Sequence, residues 1–177
     1  WMPLIEYESY GYQKLLMTID SLGIPTEMSF TGKIDSSLSP AYLRVMGPNE
    51  YDQGSRPSNT NNTSIVFQLF FGEQSMLFTG DAEREMEKDQ LRFGTLLQSD
   101  VLKAPHHGSK TSASKRYLDL VNAKTVAISL GKGNKFRHPS PSTIKKFHEK
   151  GMSIHRTDEA GAILFIGDGK QWMRSFF

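Results

Sequence analysis

The chain has 177 residues, 37% hydrophobic and 23% charged, a balance that fits one globular domain and excludes a disordered segment. It contains no cysteine, which excludes disulfides and thiolate metal sites and leaves His, Asp and Glu to hold any metal. The net charge of +2 is unevenly spread: residues 103–150 carry eleven Lys or Arg against two acids, and the rest carries ten against seventeen.

Tyr10 to Leu22 places Tyr12, Leu15, Leu16, Ile19 and Leu22 at helical spacing, and Gly23 is a fitting stop. Tyr42 to Met46 reads as a short strand. Gly47 to Asn62 is a long polar loop with almost nothing to bury, and loops of that length are more often functional or mobile than accidental. Its Asn-x-Ser/Thr triplets at Asn61 and Asn62 are common by chance. Ser64 to Phe71 and Ser75 to Thr79 form a hairpin around Gly72-Glu73-Gln74. Asp81 follows, then an acidic helix from Ala82 to Phe93. Next comes strand, loop, helix twice over. Val101–Ala104 leads through His106-His107 to a helix with Tyr117, Leu118 and Val121. Thr125–Leu130 leads through a Gly-rich basic loop, 131–139, to a helix that Ser140 or Ser142 caps. Met152–His155 is a strand, Thr157-Asp158 a turn, and Ala162–Ile166 with Gln171–Arg174 a closing hairpin around Asp168-Gly169. The pattern predicts an α/β layered fold with a mixed sheet. No apolar run approaches the roughly 20 residues of a membrane span, and no signal peptide is evident.

In such folds ligand-binding groups collect at strand ends, and Asp81, His106 and His107 follow two of them. A carboxylate at Asp81 has two oxygens and can bridge two cations; the alternative is a helix N-cap. Adjacent residues in extended chain point opposite ways. One imidazole of the His pair can then face a metal and the other the substrate, unless both are loop histidines without a task. Gly108 permits close backbone approach, and Ser109 can orient an imidazole or hold a phosphate oxygen. His138 lies in the basic loop before a helix, where backbone N–H groups and the helix dipole receive anions, with Asn134, Lys135 and Arg137 as further donors; the alternative is a surface turn. His148 and His155 read as structural. The basic block suits an anionic substrate such as phosphate or nucleic acid, against the plainer reading of solvated lysines on helix faces. No P-loop, dinucleotide fingerprint or Ser nucleophile elbow occurs.

The order Asn62-Thr63-Ser64-Ile65-Val66, Leu77-Phe78-Thr79-Gly80-Asp81, Val101 through Ser109, Ile128-Ser129-Leu130-Gly131, Asn134, His138-Pro139, Arg156-Thr157-Asp158 and Gly161-Ala162-Ile163 resembles the metallo-β-lactamase-fold domain of the ComEC DNA-uptake proteins and their stand-alone relatives. The resemblance spans essentially the whole chain. It implies an αβ/βα sandwich holding two ions, Zn²⁺ or Mn²⁺, whose activated water attacks a phosphodiester. Asp81 matches the bridging aspartate, and His107, directly before Gly, matches the late metal histidine. His106 and His138 are then the catalytic candidates at the substrate phosphate. Ser109 and Asn134 would contact substrate, and Lys103, Lys110 and Lys135 would attract its backbone.

The superfamily's first metal motif, H-x-H-x-D-H or a variant, is absent; no His precedes His106. Residues 1–177 are therefore expected to be one partial domain, its first motif upstream of residue 1 and the fragment inactive alone. The opening Trp1 in place of Met agrees. The function expected of the complete domain is hydrolysis of phosphodiesters, as a DNA nuclease linked to DNA uptake. The alternatives are a non-catalytic nucleic-acid-binding module with a vestigial metal site, or a hydrolase of small phosphoesters such as phosphorylcholine esters. A ComEC-like protein would act on the outer face of the membrane or after secretion, with fusion to a membrane channel elsewhere in its chain; a cytoplasmic location is the alternative.

Overall fold

A computed structural model describes residues 1–2, 8–49 and 59–176. Helix α1 (Tyr10–Ser21) is capped by the Ser9 hydroxyl, which accepts the Tyr12 N–H. The expected helix is present, yet none of its residues is buried. Two strands follow, β1 (Ile34–Asp35) and β2 (Tyr42–Gly47). Most of the polar loop expected after Gly47 lies outside the described residues. Its last part forms a 3₁₀ turn, Thr60–Thr63. The hairpin β3 (Val66–Phe71) and β4 (Gln74–Phe78) then forms as expected.

The acidic helix is shorter than its sequence pattern. Helix α2 spans Arg84–Gln90, and the chain continues as a 3₁₀ stretch, Leu91–Leu97, kinked where Gly94 takes a positive φ. Three strand–helix units complete the sheet: β5 (Val101–Lys103) with α3 (Lys115–Val121), β6 (Thr125–Ile128) with α4 (Pro141–Glu149), and β7 (Ser153–Arg156) with the one-turn helix α5 (Thr157–Ala160) where a turn was expected. Ser140 occupies the N-cap position of α4, but its hydroxyl pairs with Ser142 and makes no cap bond. The hairpin β8 (Ile163–Gly167) and β9 (Trp172–Phe176) forms a separate two-stranded sheet.

The seven strands lie in sequence order, β1 to β7. Pairs up to β3–β4 are antiparallel and those from β4 to β7 are parallel. Parallel neighbours require crossover connections, which α2, α3 and α4 supply. The core lies between these helices and the sheet: Val66, Leu77, Leu102, Val126 and Ile128 meet Met86, Tyr117, Leu118, Val121 and Phe147. Buried Glu87 ties α2 to the start of α3, accepting the N–H groups of Ala113 at 2.5 Å and Ser114 at 2.9 Å. Burial holds its carboxyl above the ordinary carboxylate range despite those donors. Because β4, β5 and β6 run the same way, their C-terminal ends open on one edge, and the loops leaving them meet there. Among the described residues no helix is long and apolar enough to cross a membrane.

Candidate functional site

Asp81 follows β4 through Gly80, which sits at φ 52° against Ser64. The Ser64 hydroxyl accepts the Asp81 N–H at 3.0 Å and fixes the turn. Asp81 does not cap the helix. The N-cap position belongs to Glu83, two residues later, and no side chain makes the cap bond. The Asp81 carboxylate is thus free to face the sheet edge.

The His pair follows β5 in a tight turn, Pro105–Gly108. Here the sequence reading needs correction. The chain is not extended at the pair: His106 (φ 45°, ψ 47°) and His107 (φ 52°, ψ 27°) are both left-handed. Such conformations cost about 1 to 3 kcal/mol each and persist only where surroundings over-determine them. Those surroundings are visible. The His106 N–H donates to the Gly80 carbonyl at 3.1 Å, and the Ser109 N–H to the His106 carbonyl at 2.8 Å. The buried Ser112 hydroxyl donates to the Pro105 carbonyl at 3.0 Å. Gly108 (φ 78°) lies so near the next loop that a β-carbon there would sit 2.7 Å from Pro139 Cβ.

The rings still diverge, 6.4 Å apart and inclined by 67°. His107 Nδ1 lies 2.5 Å from the Ser129 carbonyl at the end of β6. A carbonyl only accepts, so Nδ1 carries the proton. Nε2 then faces Asp81 Oδ1 at 3.3 Å. A lone pair on Nε2 and a carboxylate oxygen do not face each other unaided; they need a second proton on the ring or a cation between them. Two ligands of a tetrahedral ion bound at about 2.0–2.1 Å stand roughly 3.3 Å apart, and a metal-bound imidazole characteristically donates its other N–H to a carbonyl. Asp81 and His107 therefore fit one edge of a metal's coordination shell. Among the described residues no group of three or more His, Asp or Glu converges on one point, so the pair would supply only part of an ion's ligands.

His106 turns to a second acid. Its Nδ1 lies 3.1 Å from Glu83 Oε1, in contact but out of line for a hydrogen bond. Burial acts to raise the Glu83 pKa, but hydrogen bonds from Asn61, Asn59 and Thr111, with His106 beside it, hold it below the ordinary value. His138 completes the group, its ring edge-on to His106 at 5.5 Å. Burial, then the neighbouring His106 and His107, lower its pKa against the opposing pull of Asp81.

The other candidates divide. Lys103 lies behind the site, its ammonium donating to the Gly80 carbonyl at 2.9 Å, its pKa lowered by burial and supported by Asp81. Ser109 is buried beneath the turn, paired with the Thr111 hydroxyl at 2.9 Å. Asn134 holds its own loop: its amide donates to the carbonyls of Gly131 and His138, and its oxygen accepts the His138 N–H. Lys110 and Lys135 are exposed, in the loops that follow β5 and β6. Sequence reasoning missed Glu83, hidden in a run of helix acids. It also gave no role to Asn61, or to Asn62 beyond its place in the motif order. The Asn61 amide donates to Glu83 at 2.8 Å, and the Asn62 oxygen accepts the Glu83 N–H at 2.9 Å. Adjacent asparagines before a strand were the available signal.

Residues 57–132 match the profile of the metallo-beta-lactamase superfamily. The chain is 29% identical over 153 residues to ComE operon protein 3 of Bacillus subtilis, covering 86% of this chain and 19% of that protein. It is 33% identical to Competence protein ComA of Neisseria gonorrhoeae, over 62% of this chain and 16% of that one. It is 36% identical to Recombination protein 2 of Haemophilus influenzae, over 58% and 13% respectively. The chain spans less than a fifth of the length of each.

Proposed function

Because the chain is a ComEC-like metallo-β-lactamase-fold domain, we propose that it is part of a metal-dependent hydrolase that cuts phosphodiester bonds of DNA during its uptake. The observation that supports this most is the Asp81–His107 pair, 3.3 Å apart, with the far nitrogen of His107 on the Ser129 carbonyl. In this reading Asp81 Oδ1 and His107 Nε2 would hold a divalent ion, Zn²⁺ or Mn²⁺. A metal there would lower the pKa of bound water and offset phosphate charge.

The chain's own residues do the rest. Ser129 fixes the His107 tautomer so that its lone pair is presented to the ion. Glu83 lies against the His106 ring as a neighbouring negative charge. His106 and His138 offer ring N–H groups to a phosphate lying over the site. Lys110, Lys132 and Lys135 raise the local concentration of an anionic strand, a contribution that weakens with salt. The competence-protein relatives support a role linked to DNA uptake.

The test is hydrolysis of linear DNA and of bis-p-nitrophenyl phosphate by the full-length protein supplied with Mn²⁺ or Zn²⁺. Asp81→Ala and His107→Ala are each expected to lose at least about a hundredfold in rate, on the scale of removing a principal catalytic group. His148→Ala, on the exposed face of α4, is expected to retain activity. Unchanged rates in Asp81→Ala would overturn the proposal. The absence of a three-residue ligand cluster among the described residues favours one second reading, a nucleic-acid-binding module without catalysis. A full-length protein that gains no thermal stability from added Zn²⁺ or Mn²⁺ would support that module instead.

A further inference from the structure

The loop 131–139 displays an aromatic ring that the mechanism above does not use. Phe136 keeps 66% of its surface exposed in an otherwise polar segment. Exposed phenylalanine gains nothing from burial, yet this ring is held in place. It stacks on His138 with centroids 5.8 Å apart and planes inclined by 17°, and His138 in turn meets His106. The ring is therefore two contacts from the His pair. The loop beneath it is pinned by the three Asn134 side-chain bonds and by Arg137, left-handed at φ 55°, whose N–H donates to the Asn134 carbonyl.

The ring lies in a basic stretch of chain, with one ammonium over it. Lys132, Lys135 and Arg137 are all exposed, and Lys135 Nζ lies 5.0 Å from the Phe136 centroid. A fixed aromatic face among cations is how proteins hold unpaired nucleotides: the ring takes the base and the cations take the backbone. An apolar protein partner is poorly served by a single ring with an ammonium over it in an otherwise basic loop. A small phosphoester has no base to place there.

We propose that Phe136 is a stacking platform for an unpaired nucleobase next to the phosphate at the Asp81–His107 pair, so that the substrate is a polynucleotide with a single-stranded or frayed segment. The placing of that phosphate rests on the hydrolytic reading; the stacking does not. Stacking is worth about tenfold in affinity per base, and it depends on the base and not on the charge.

The experiment is a binding cycle with the full-length protein at one fixed salt concentration and without added divalent metal. The probes are a fluorescein-labelled oligo-dT about twelve nucleotides long and an abasic strand of the same length. The wild type is expected to prefer the base-bearing strand by about tenfold. Phe136→Ala is expected to lose that preference while binding the abasic strand as before, and Phe136→Trp to keep it. A preference retained in Phe136→Ala, or an equal weakening toward both strands, would overturn the proposal. Hydrolysis of bis-p-nitrophenyl phosphate by the wild type reports separately on the hydrolytic reading. Its failure would sink that reading and leave the binding cycle to decide the role of Phe136.

Discussion

The parallel half of the main sheet and helix α1 are built differently. The parallel half, β4 to β7 with α2, α3 and α4, encloses a continuous core of fully buried side chains, among them Leu77, Leu102, Ile128, Tyr117 and Phe147. Helix α1 has the apolar spacing of a core helix, but Tyr12, Leu16 and Ile19 are only half-buried and Tyr10, Leu15 and Met17 are exposed. Both show the same kind of sequence signal. The difference teaches that periodicity marks a face able to be buried, and that only tertiary contacts bury it. It also explains where the site sits. Two left-handed histidines need rigid surroundings, and the parallel half supplies them.

Phe147→Ala attacks that contrast most strongly. The side chain is fully buried between α4 and the sheet, and its loss is expected to cost about 3 to 5 kcal/mol, read from urea unfolding. A cost near zero would remove the idea that α4 is locked to the core. Gly108→Ala comes next, at about 1 to 3 kcal/mol, because the residue is left-handed and its β-carbon would meet Pro139. An unchanged midpoint would show that the turn and the 131–139 loop are not packed as described.

The third effect is a pH dependence. Burial holds Glu87 above the ordinary carboxylate range, so the folded state binds its proton more tightly than the unfolded state does. Its contribution is full below the ordinary carboxylate pKa and is lost as pH rises through the raised value. Wild-type stability relative to Glu87→Gln is therefore expected to fall as pH rises through the weakly acidic range, measured by denaturant titration at several pH values. A difference that stays flat with pH would contradict this. The smallest effect belongs to α1. Met17→Ala, at a 70% exposed position, is expected to change stability by less than about 0.5 kcal/mol. A large loss would mean that α1 has a packing partner.

Much of the site was legible because strand ends carry simple signals. Leu77-Phe78-Thr79-Gly80-Asp81 reads as a buried strand, a turn and an acid, and the structure places it so. Gly108 was expected to permit close approach, and Pro139 makes that approach. What escaped depends on contacts distant in sequence. Nothing local to His106-His107 announces left-handed backbone, since the Gly80 carbonyl that steadies it lies 26 residues earlier. Glu83 looked like one more helix acid until Asn61 and Asn62 closed on it. The carbonyl of Ser129, which fixes the His107 tautomer, is invisible in any sequence because every residue has one. The helix 82–93 was overdrawn because Gly94, just past its end, takes a positive φ that breaks the run, and the preceding apolar residues continue as 3₁₀.

The central claim is that Asp81 and His107 share one divalent ion. The most direct measurement is the metal content of the full-length protein after equilibration with Zn²⁺ or Mn²⁺ and removal of free ion, in the wild type, Asp81→Ala, His107→Ala and His148→Ala. Loss of bound metal in the first two variants, with the His148 variant matching the wild type, is the result expected. Equal metal content in all four proteins would contradict the claim and leave the pair as an imidazolium–aspartate ion pair.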